Sequence, residues 1–295
     1  MGHLARLQEA MRQAGLDALL LGGEAAGQFA AGHTRIGVHM PGWPIPVTVV
    51  PASGFPHIVT ADPDGAAGLP ADHVHGMMWN PQTLVSSLQE WLAGASDLRL
   101  GTDALSPGGQ ALIAAAVPGA TIVDATPLLA GVLLCKTPEE IDALAKLCQF
   151  VTAAAEKGLQ GGRLALLEAL DGAFPISYPQ VSSRRVSVAV RRSGIIGEAR
   201  LGPGDPARGE RALDLLRPGT TAGDIAAALP SGIEVVGIGG SYEAPLIRDG
   251  GAWPVDLALQ PGAVLAVHWD ACGVSVALDE TGARPLSLSP KEVAR

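Results

Sequence analysis

The segment that most constrains the fold is a run of strand-forming residues interrupted by glycines, from Val235 to Pro245. Gly237, Gly239 and Gly240 have no Cβ, which lets one stretch of backbone approach another closely. The run lacks the spacing of a GxGxxG dinucleotide loop and of a Gly-Lys-Ser/Thr phosphate loop. We therefore interpret its glycines and proline as residues that shape the backbone beside a cleft.

Length, composition and charge restrict the class of protein. A chain of 295 residues exceeds the usual size of one hydrophobic core, which favours two domains. Hydrophobic residues make up 47% but aromatic residues only 4%, so the cores consist mainly of Ala, Leu and Val. A net charge of -9 argues against binding to nucleic acid or to an anionic membrane, because both need a basic face.

The cysteines and the N-terminal pattern both predict a cytoplasmic protein. The three cysteines lack CxxC spacing and are odd in number, which favours buried thiols over a disulfide framework or a thiolate metal site. They are Cys135, Cys148 and Cys272. Leu4, Leu7 and Met11 recur at helical spacing between arginines, so this stretch resembles an amphipathic helix more than a signal peptide. No apolar run approaches the roughly 18 residues that a membrane span needs.

Strand and helix patterns alternate over the first 130 residues. A buried strand is predicted at 17–21 and further strands at 98–101 and 121–124, and helices begin at Asn80-Pro81 and Ser106-Pro107, where a capping residue precedes proline. Such alternation predicts an α/β domain whose sheet is mixed or parallel.

A capping box predicts a long packed helix after residue 136. Thr137 is followed by proline and then by Glu140, so the hydroxyl and the carboxylate can each accept from the other residue's backbone N–H. An apolar stripe along the helix then predicts packing over its whole length. The stripe comprises Ile141, Leu144, Leu147, Cys148 and Val151.

Five segments together resemble one family, the pita-bread hydrolases: aminopeptidase P, prolidase, methionine aminopeptidase and the metal-free creatinase. They are Lys136–Ile141, Leu215–Ile225, Val235–Pro245, Leu259–Val267 and Asp279–Ser287. The resemblance implies an α/β N-terminal domain of the creatinase and aminopeptidase P type over residues 1–130. It also implies an α+β pita-bread domain over 131–295, shortened because few residues separate Leu229 from Gly237. The family further implies a homodimer.

The residues that bind metal in this family are not found here. Its dinuclear members bind two divalent cations with two aspartates, a histidine and two glutamates. The resemblance places these five positions on Val186, Gly197, Val236, His268 and Gly273. No aspartate occurs between Asp171 and Asp205, and His268 is the only histidine after the capping-box helix. We therefore expect no metal, no cofactor and no metallopeptidase activity.

Three functions stay open at this stage. The leading one is a peptidase-related protein that uses the cleft to bind a peptide, a small molecule or a partner. The first alternative is a metal-independent hydrolase of a small amide or guanidino compound, with His268 and Glu243 as acid and base and Tyr242 beside them. Against it, His268 could simply be packed and Glu243 paired with Arg248. The remaining alternative is a metallo-aminopeptidase with relocated ligands.

A second, weaker metal hypothesis concerns the first domain. His73 and His75 follow Asp72 at the i, i+2 spacing that places two side chains on one face of a strand. Two imidazoles so placed bind a metal only if a third ligand arrives from elsewhere.

Overall fold

The computed structural model of the chain describes residues 2–32, 48–60, 68–78, 80–92, 97–103, 107–192, 194–240 and 242–294. The chain divides into two units, Met1–Val132 and Leu133–Arg295. The predicted boundary near residue 130 lies within the helix Thr126–Leu134.

Short strands between helices form the first unit, and the strand Ala18–Leu21 is buried along its whole length whereas Thr121–Asp124 is largely exposed. Its helices are α1 (His3–Ala14), α2 (Glu24–Ala31), α3 (Pro81–Trp91), α4 (Pro107–Ala116) and α5 (Thr126–Leu134). Its strands are β1 (Ala18–Leu21), β2 (Thr48–Pro51), β3 (His57–Val59), β4 (Val74–His75), β5 (Arg99–Thr102) and β6 (Thr121–Asp124). In the described residues they form one sheet in the order β4-β3-β2-β1-β5-β6.

The sheet of the first unit is mixed, as the alternating pattern predicts. β1 pairs in parallel with β5 and antiparallel with β2, and β5 pairs in parallel with β6. Leu84 and Leu88 of α3 and Ile113 of α4 pack on β1 and β5. The Asn80 side chain accepts from the backbone N–H of Gln82, so the predicted cap starts α3.

An antiparallel sheet covered by helices forms the second unit. Its helices are α6 (Pro138–Ala169), α7 (Pro206–Leu215), α8 (Ala222–Ala228) and α9 (Pro290–Val293). Its strands are β7 (Phe174–Pro175), β8 (Gln180–Val181), β9 (Val186–Arg192), β10 (Ile195–Leu201), β11 (Ile233–Ile238), β12 (Tyr242–Arg248), β13 (Gly251–Trp253), β14 (Val264–Trp269), β15 (Cys272–Asp279) and β16 (Gly282–Pro285). The order is β13-β12-β11-β14-β15-β10-β9-β7, with β16 on β15 and β8 on β9.

The predicted capping box starts α6. Glu140 Oε2 accepts from the Thr137 backbone N–H at 2.6 Å, and the Thr137 hydroxyl accepts from the Glu140 backbone N–H at 3.3 Å. The helix then packs against β9 and β10 through Leu147 and Val151, which lie in the main apolar core of this unit. Among the described residues, no helix combines the length and the apolar character that crossing a membrane requires.

Glycine and proline produce a bulge between β11 and β12. The register shifts between Val236 and Gly237, so that Ala244 and Pro245 have no partner on β11. This position suits proline, which has no N–H to donate to a ladder. A Cβ on Gly237 would lie only 2.4 Å from the Ala244 carbonyl oxygen. The two residues that the sequence marks as backbone-shaping therefore act at one bulge.

Replacing Gly237 with alanine is expected to destabilise the second unit by about 1–3 kcal/mol. The new Cβ overlaps the Ala244 carbonyl oxygen, which is backbone and cannot move aside as a side chain can. The measurement is the free energy of unfolding in urea. Gly251→Ala on β13 is the matched control, since a Cβ there meets nothing closer than 3.5 Å. It is expected to change stability by less than about 0.5 kcal/mol. Equal effects of the two substitutions would contradict this account of the bulge.

Candidate functional site

Charged residues lie in one row across the sheet of the second unit. Glu234 on β11 pairs with His268 on β14, His268 pairs with Gly273 on β15, and Gly273 pairs with Arg200 on β10. Directly paired residues of neighbouring strands project to the same face. The register therefore brings Glu234, His268 and Arg200 together.

His268 is buried between two carboxylates. Its Nε2 lies 2.5 Å from Glu198 Oε1, and its Nδ1 lies 3.5 Å from Glu234 Oε2. Glu198 is only 4% exposed, whereas the Glu234 side chain is 33% exposed. One carboxylate is therefore sealed inside the protein and the other reaches solvent.

The two carboxylates favour the charged form of His268. Burial is the largest single influence and by itself lowers the pKa of His268, but the charge and hydrogen bond of Glu198 together with the hydrogen bond of Glu234 outweigh it, so the pKa is raised. The pKa of Glu234 is lowered, first by its hydrogen bond to His268. The three groups form a carboxylate–imidazolium–carboxylate arrangement.

Gly273 leaves the space that this arrangement needs. A Cβ on Gly273 would lie 2.9 Å from His268 Cδ2 and 3.1 Å from Arg200 Cδ. A side chain at this position would therefore displace the imidazole or the arginine stem. The position where the resemblance places a glutamate ligand is thus filled from both sides by neighbouring residues.

A pocket of about 230 Å³ opens beside His268. Its charged lining comprises Arg200, Glu234, Arg248, Asp249, His268 and Asp270. Asp270 is paired with Arg208 at 2.6 Å, and the largely exposed Arg248 and Asp249 approach to 3.4 Å. The pocket is polar and lies entirely within the second unit.

Glu243 belongs to a different buried pair. Its Oε2 accepts from Lys136 Nζ at 2.8 Å and its Oε1 accepts from the Gly240 backbone N–H at 3.0 Å. The Lys136 and Glu243 side chains are 6% and 3% exposed. The Lys136 ammonium also donates to the Leu133 carbonyl. The structure therefore brings Glu243 together neither with His268 nor with Arg248, the two pairings considered from sequence.

Gly239 makes the Lys136–Glu243 pair possible. A Cβ on Gly239 would lie 2.4 Å from Glu243 Oε1 and 2.7 Å from Lys136 Nζ. Gly240 contributes its N–H to the same carboxylate. The backbone of Tyr242 pairs with Ile238, while its side chain, a candidate from sequence, lies outside the described part of the structure.

The other positions assigned to metal ligands are occupied by apolar packing. Val186 is buried in the main core, and a Cβ on Gly197 would lie 2.5 Å from Leu147 Cγ. Val236 packs in a second apolar cluster that includes Leu144 and Cys148 of α6. None of these three positions carries a side chain that can coordinate a cation.

The described residues contain no group of three or more His, Cys, Asp or Glu side chains arranged to hold a metal ion. Glu198, His268 and Glu234 are close, but the carboxylates approach opposite ring nitrogens, so their donors do not converge on one point. The donor set present does not fit the dinuclear metal centre that the family resemblance implies.

Three histidines of the first unit, His57, His73 and His75, form a ring stack with Trp91. His57 stacks on His73 at 4.1 Å and on Trp91 at 4.8 Å, and its Nδ1 lies 3.2 Å from His75 Nε2. Burial, followed by the nearby His73 and His75, lowers the pKa of His57 to about 4. The rings therefore meet mainly through their faces, and among the described residues the Asp72–His73–His75 spacing does not produce a converging ligand set.

Sequence reasoning missed Glu198 and Glu234. Each is the single acid of its strand: Ile233–Ile238 is otherwise apolar, and Ile195–Leu201 has Arg200 as its only other charged residue. A lone carboxylate in such a run must find a counter-charge when the strand is buried. That pattern, together with the lone histidine on β14, is the signal that could have identified both.

No protein-family model matches the sequence, and no curated protein matches it either. Several solved structures, however, resemble the structure of this chain. The structure is similar to a prolidase from Thermococcus sibiricus, with a TM-score of 0.72 and 13% identity over 97% of this chain and 96% of that chain. It is similar to the dipeptidase PepE from Mycobacterium ulcerans, with a TM-score of 0.68 and 20% identity over 99% of this chain and 96% of that one.

Aminopeptidase P from E. coli is also similar, with a TM-score of 0.61 and 14% identity over 99% of this chain and 96% of that chain. Such identities establish the fold alone. The chain therefore has the pita-bread fold of prolidases and aminopeptidase P, which confirms the architecture expected from its motifs at that level.

The raised pKa of His268 predicts how stability depends on pH. Because the folded pKa exceeds the unfolded value, the imidazolium contributes fully below about pH 6.5, and its contribution is lost as pH rises through the folded pKa. Glu234 acts oppositely: its contribution is present above its unfolded pKa and is lost as pH falls through the lowered folded pKa. In urea unfolding across this range, His268→Gln is expected to remove the loss on the alkaline side.

Glu234→Gln separates the two contributions. It is expected to reduce the loss of stability at acidic pH, to which other carboxylates also contribute, and to weaken the loss at alkaline pH, because Glu198 still holds the imidazolium. An unfolding free energy that falls with rising pH equally steeply in wild type and His268→Gln would show that His268 is not the titrating group.

Proposed function

We propose that this chain is a peptidase-fold protein that binds a ligand in the pocket beside His268 and does not carry out metal-dependent hydrolysis. The observation that carries the proposal is the Glu198–His268–Glu234 arrangement. An imidazolium of the chain itself lies between its two carboxylates and offsets the charge of one of them, in the region where the related fold places cations.

Charge balance supports this proposal. A dinuclear centre uses several carboxylates to offset the charge of two cations and to orient an activated water. Here Glu198 and Glu243 are buried and each already has an internal cation, His268 or Lys136. Admitting two divalent cations would require breaking these pairs and leaving buried ammonium and imidazolium groups beside like charge.

Fold similarity supports the choice of ligand. The structural neighbours include a dipeptidase and an Xaa-Pro dipeptidase from Bacillus anthracis, and both names refer to short peptides. We propose a short peptide or a small molecule of similar chemistry as the occupant of the pocket. Homodimerisation and a cytoplasmic location stay predictions.

Metal-dependent turnover is expected to be absent. Full-length protein treated with EDTA and then supplied with Mn²⁺, Co²⁺ or Zn²⁺ is incubated with an Xaa-Pro dipeptide and an Xaa-Pro tripeptide, and released amino acid is quantified. We expect the metal-supplied protein to release no more amino acid than the EDTA-treated sample does. The Glu198→Gln variant is expected to release the same amount. Turnover that rises with metal occupancy, supported by stoichiometric metal in elemental analysis, would establish relocated ligands and overturn the proposal.

A second candidate function is metal-independent hydrolysis of a small amide or guanidino compound. The favouring observation is the longer 3.5 Å contact between His268 Nδ1 and the partly exposed Glu234 at the pocket wall. Glu234 could accept a proton from the attacking water while His268 donates one to the leaving nitrogen, which balances the protons of hydrolysis. Glu234 thus replaces Glu243 in the pairing considered from sequence.

This second candidate predicts turnover of creatine or of an N-acetyl amino acid amide in the presence of EDTA. His268→Ala is expected to lower that turnover by about 100-fold or more, the usual contribution of a general acid or base. Arg211→Gln, an exposed substitution on α7, is the control and is expected to leave it unchanged. No turnover by wild type with either compound leaves ligand binding as the function of the pocket.

A further inference from the structure

Exposed apolar side chains gather where α6 is interrupted. Four of the nine exposed large hydrophobic side chains in the described residues lie between Leu164 and Tyr178. Leu164 and Leu167 are 69% and 43% exposed, and Tyr178 is 73% exposed. Single exposed hydrophobic residues are ordinary, but a group of them marks a surface that another molecule can cover.

Contacts within the second unit place these side chains together. Leu164 lies three positions and Arg163 four positions before Leu167 on α6, so the three project from neighbouring positions of the helix surface. The Arg163 guanidinium stacks on the Tyr178 ring, with its Cζ 5 Å or less from the ring centroid at 4.3 Å, and donates to the Tyr178 hydroxyl. The aromatic ring therefore extends the apolar surface of the helix.

Arginines border this apolar group. Gln180 on β8 is two residues beyond Tyr178, and its Oε1 accepts from Arg185 Nη2 at 3.1 Å. Arg184 precedes Arg185 in the turn between β8 and β9, and its side chain makes neither a hydrogen bond nor an ion pair with any described residue. Both arginines are exposed. The basic–apolar surface comprises Arg163, Leu164, Leu167, Tyr178, Arg184 and Arg185.

The interruption of α6 adds a groove beside this surface. Gly162 has a φ of 79° and a ψ of -168°, which no helical residue adopts. A groove of about 460 Å³ is lined by residues before the interruption, such as Lys157, and by residues after it, such as Ala165 and Glu168. Leu164 directly precedes Ala165. The groove has the volume of a ligand pocket, roughly 300–1,000 Å³, so a bound chain has a recess as well as an exposed face to contact.

The charge of this region is opposite to that of the rest of the chain. From Lys157 to Arg185 the sequence has four basic and two acidic residues, a net charge of +2. The remaining residues include 16 basic and 27 acidic ones, a net charge of -11. The surface therefore favours an anionic partner, while the excess negative charge elsewhere repels an extended polyanion that reaches beyond it.

We propose that the basic–apolar surface binds an acidic peptide segment of a partner protein, with its carboxylates on the two turn arginines and its apolar side chains against the leucines and Tyr178. Arginine binds a carboxylate through two parallel N–H···O bonds, and arginine and aromatic residues are enriched in protein interfaces. This surface shares no residue with the pocket beside His268, so its occupation does not depend on the proposed function.

The probe is a fluorescein-labelled peptide of about ten residues in which aspartate and glutamate alternate with leucine and phenylalanine. Its binding to the full-length protein is followed by fluorescence anisotropy. We expect saturable binding that weakens by about tenfold or more between about 50 and 500 mM NaCl, because salt screens the charged contacts. A peptide with lysine in place of the acids is expected not to bind, and one with alanine in place of the apolar residues is expected to bind more weakly.

A first double variant tests the charged contacts. Arg184→Ser combined with Arg185→Ser is expected to weaken binding of the acidic peptide by about tenfold or more, because the peptide loses both guanidinium partners. Arg211→Gln, at an exposed position on α7, is the matched arginine control and is expected to bind as wild type does.

A second double variant tests the apolar contacts. Leu164→Ala combined with Tyr178→Ala is expected to weaken binding by a similar factor, because both side chains supply contact area. Val255→Ala, at a position that is 55% exposed, is the apolar control and is expected to leave binding unchanged. Circular dichroism establishes that each variant is folded.

Three results of the peptide titrations would overturn this inference. They are an absence of saturable binding by the folded wild type, equal binding of the lysine-substituted peptide, and binding that survives both double variants. Association with phosphatidylserine vesicles in place of the peptide would assign the surface to a membrane. A wild-type dimer in sedimentation velocity that the second double variant dissociates would assign it to a second copy of the chain. Either result would also overturn the peptide site.

Discussion

A buried carboxylate needs a counter-charge, and in this chain other parts of the same chain supply it. Glu198 and Glu243 are 4% and 8% exposed, and burial of an unpaired carboxylate would cost several kcal/mol. His268 meets the first and Lys136 meets the second. The first pair joins β14 to β10 and the second joins the segment before α6 to β12, so both limit which groups remain available to a ligand.

The glycines follow from the same pairs. Gly239 leaves room for the Lys136 ammonium beside Glu243, and Gly273 leaves room for His268 beside the stem of Arg200. Each is a position where a Cβ would collide with one member of a charged pair. Gly237 differs, because it accommodates backbone at the β-bulge. The glycine pattern in the sequence thus reflects two separate requirements, close backbone approach and space for internal ion pairs.

Local signals predicted the elements well. The Thr137 capping box, the Asn80 cap and the alternating patterns each depend on residues within a few positions, so they could be interpreted directly. The charged pairs in the site could not be predicted from the sequence in this way. Glu198 lies 70 positions from His268, and Glu243 lies 107 positions from Lys136. The resemblance aligned His268 and Gly273 with ligand positions but could not reveal that a neighbouring glutamate had already paired with the histidine.

The most direct test of this account is the ¹⁵N NMR spectrum of the His268 ring at pH 6.5, recorded before and after addition of equimolar Zn²⁺. The raised pKa predicts that more than half of the His268 rings carry protons on both nitrogens, and the paired carboxylates predict that zinc leaves these signals unchanged. A ring with one deprotonated nitrogen whose signal shifts on addition of zinc would contradict the account, because it would identify His268 as a metal ligand.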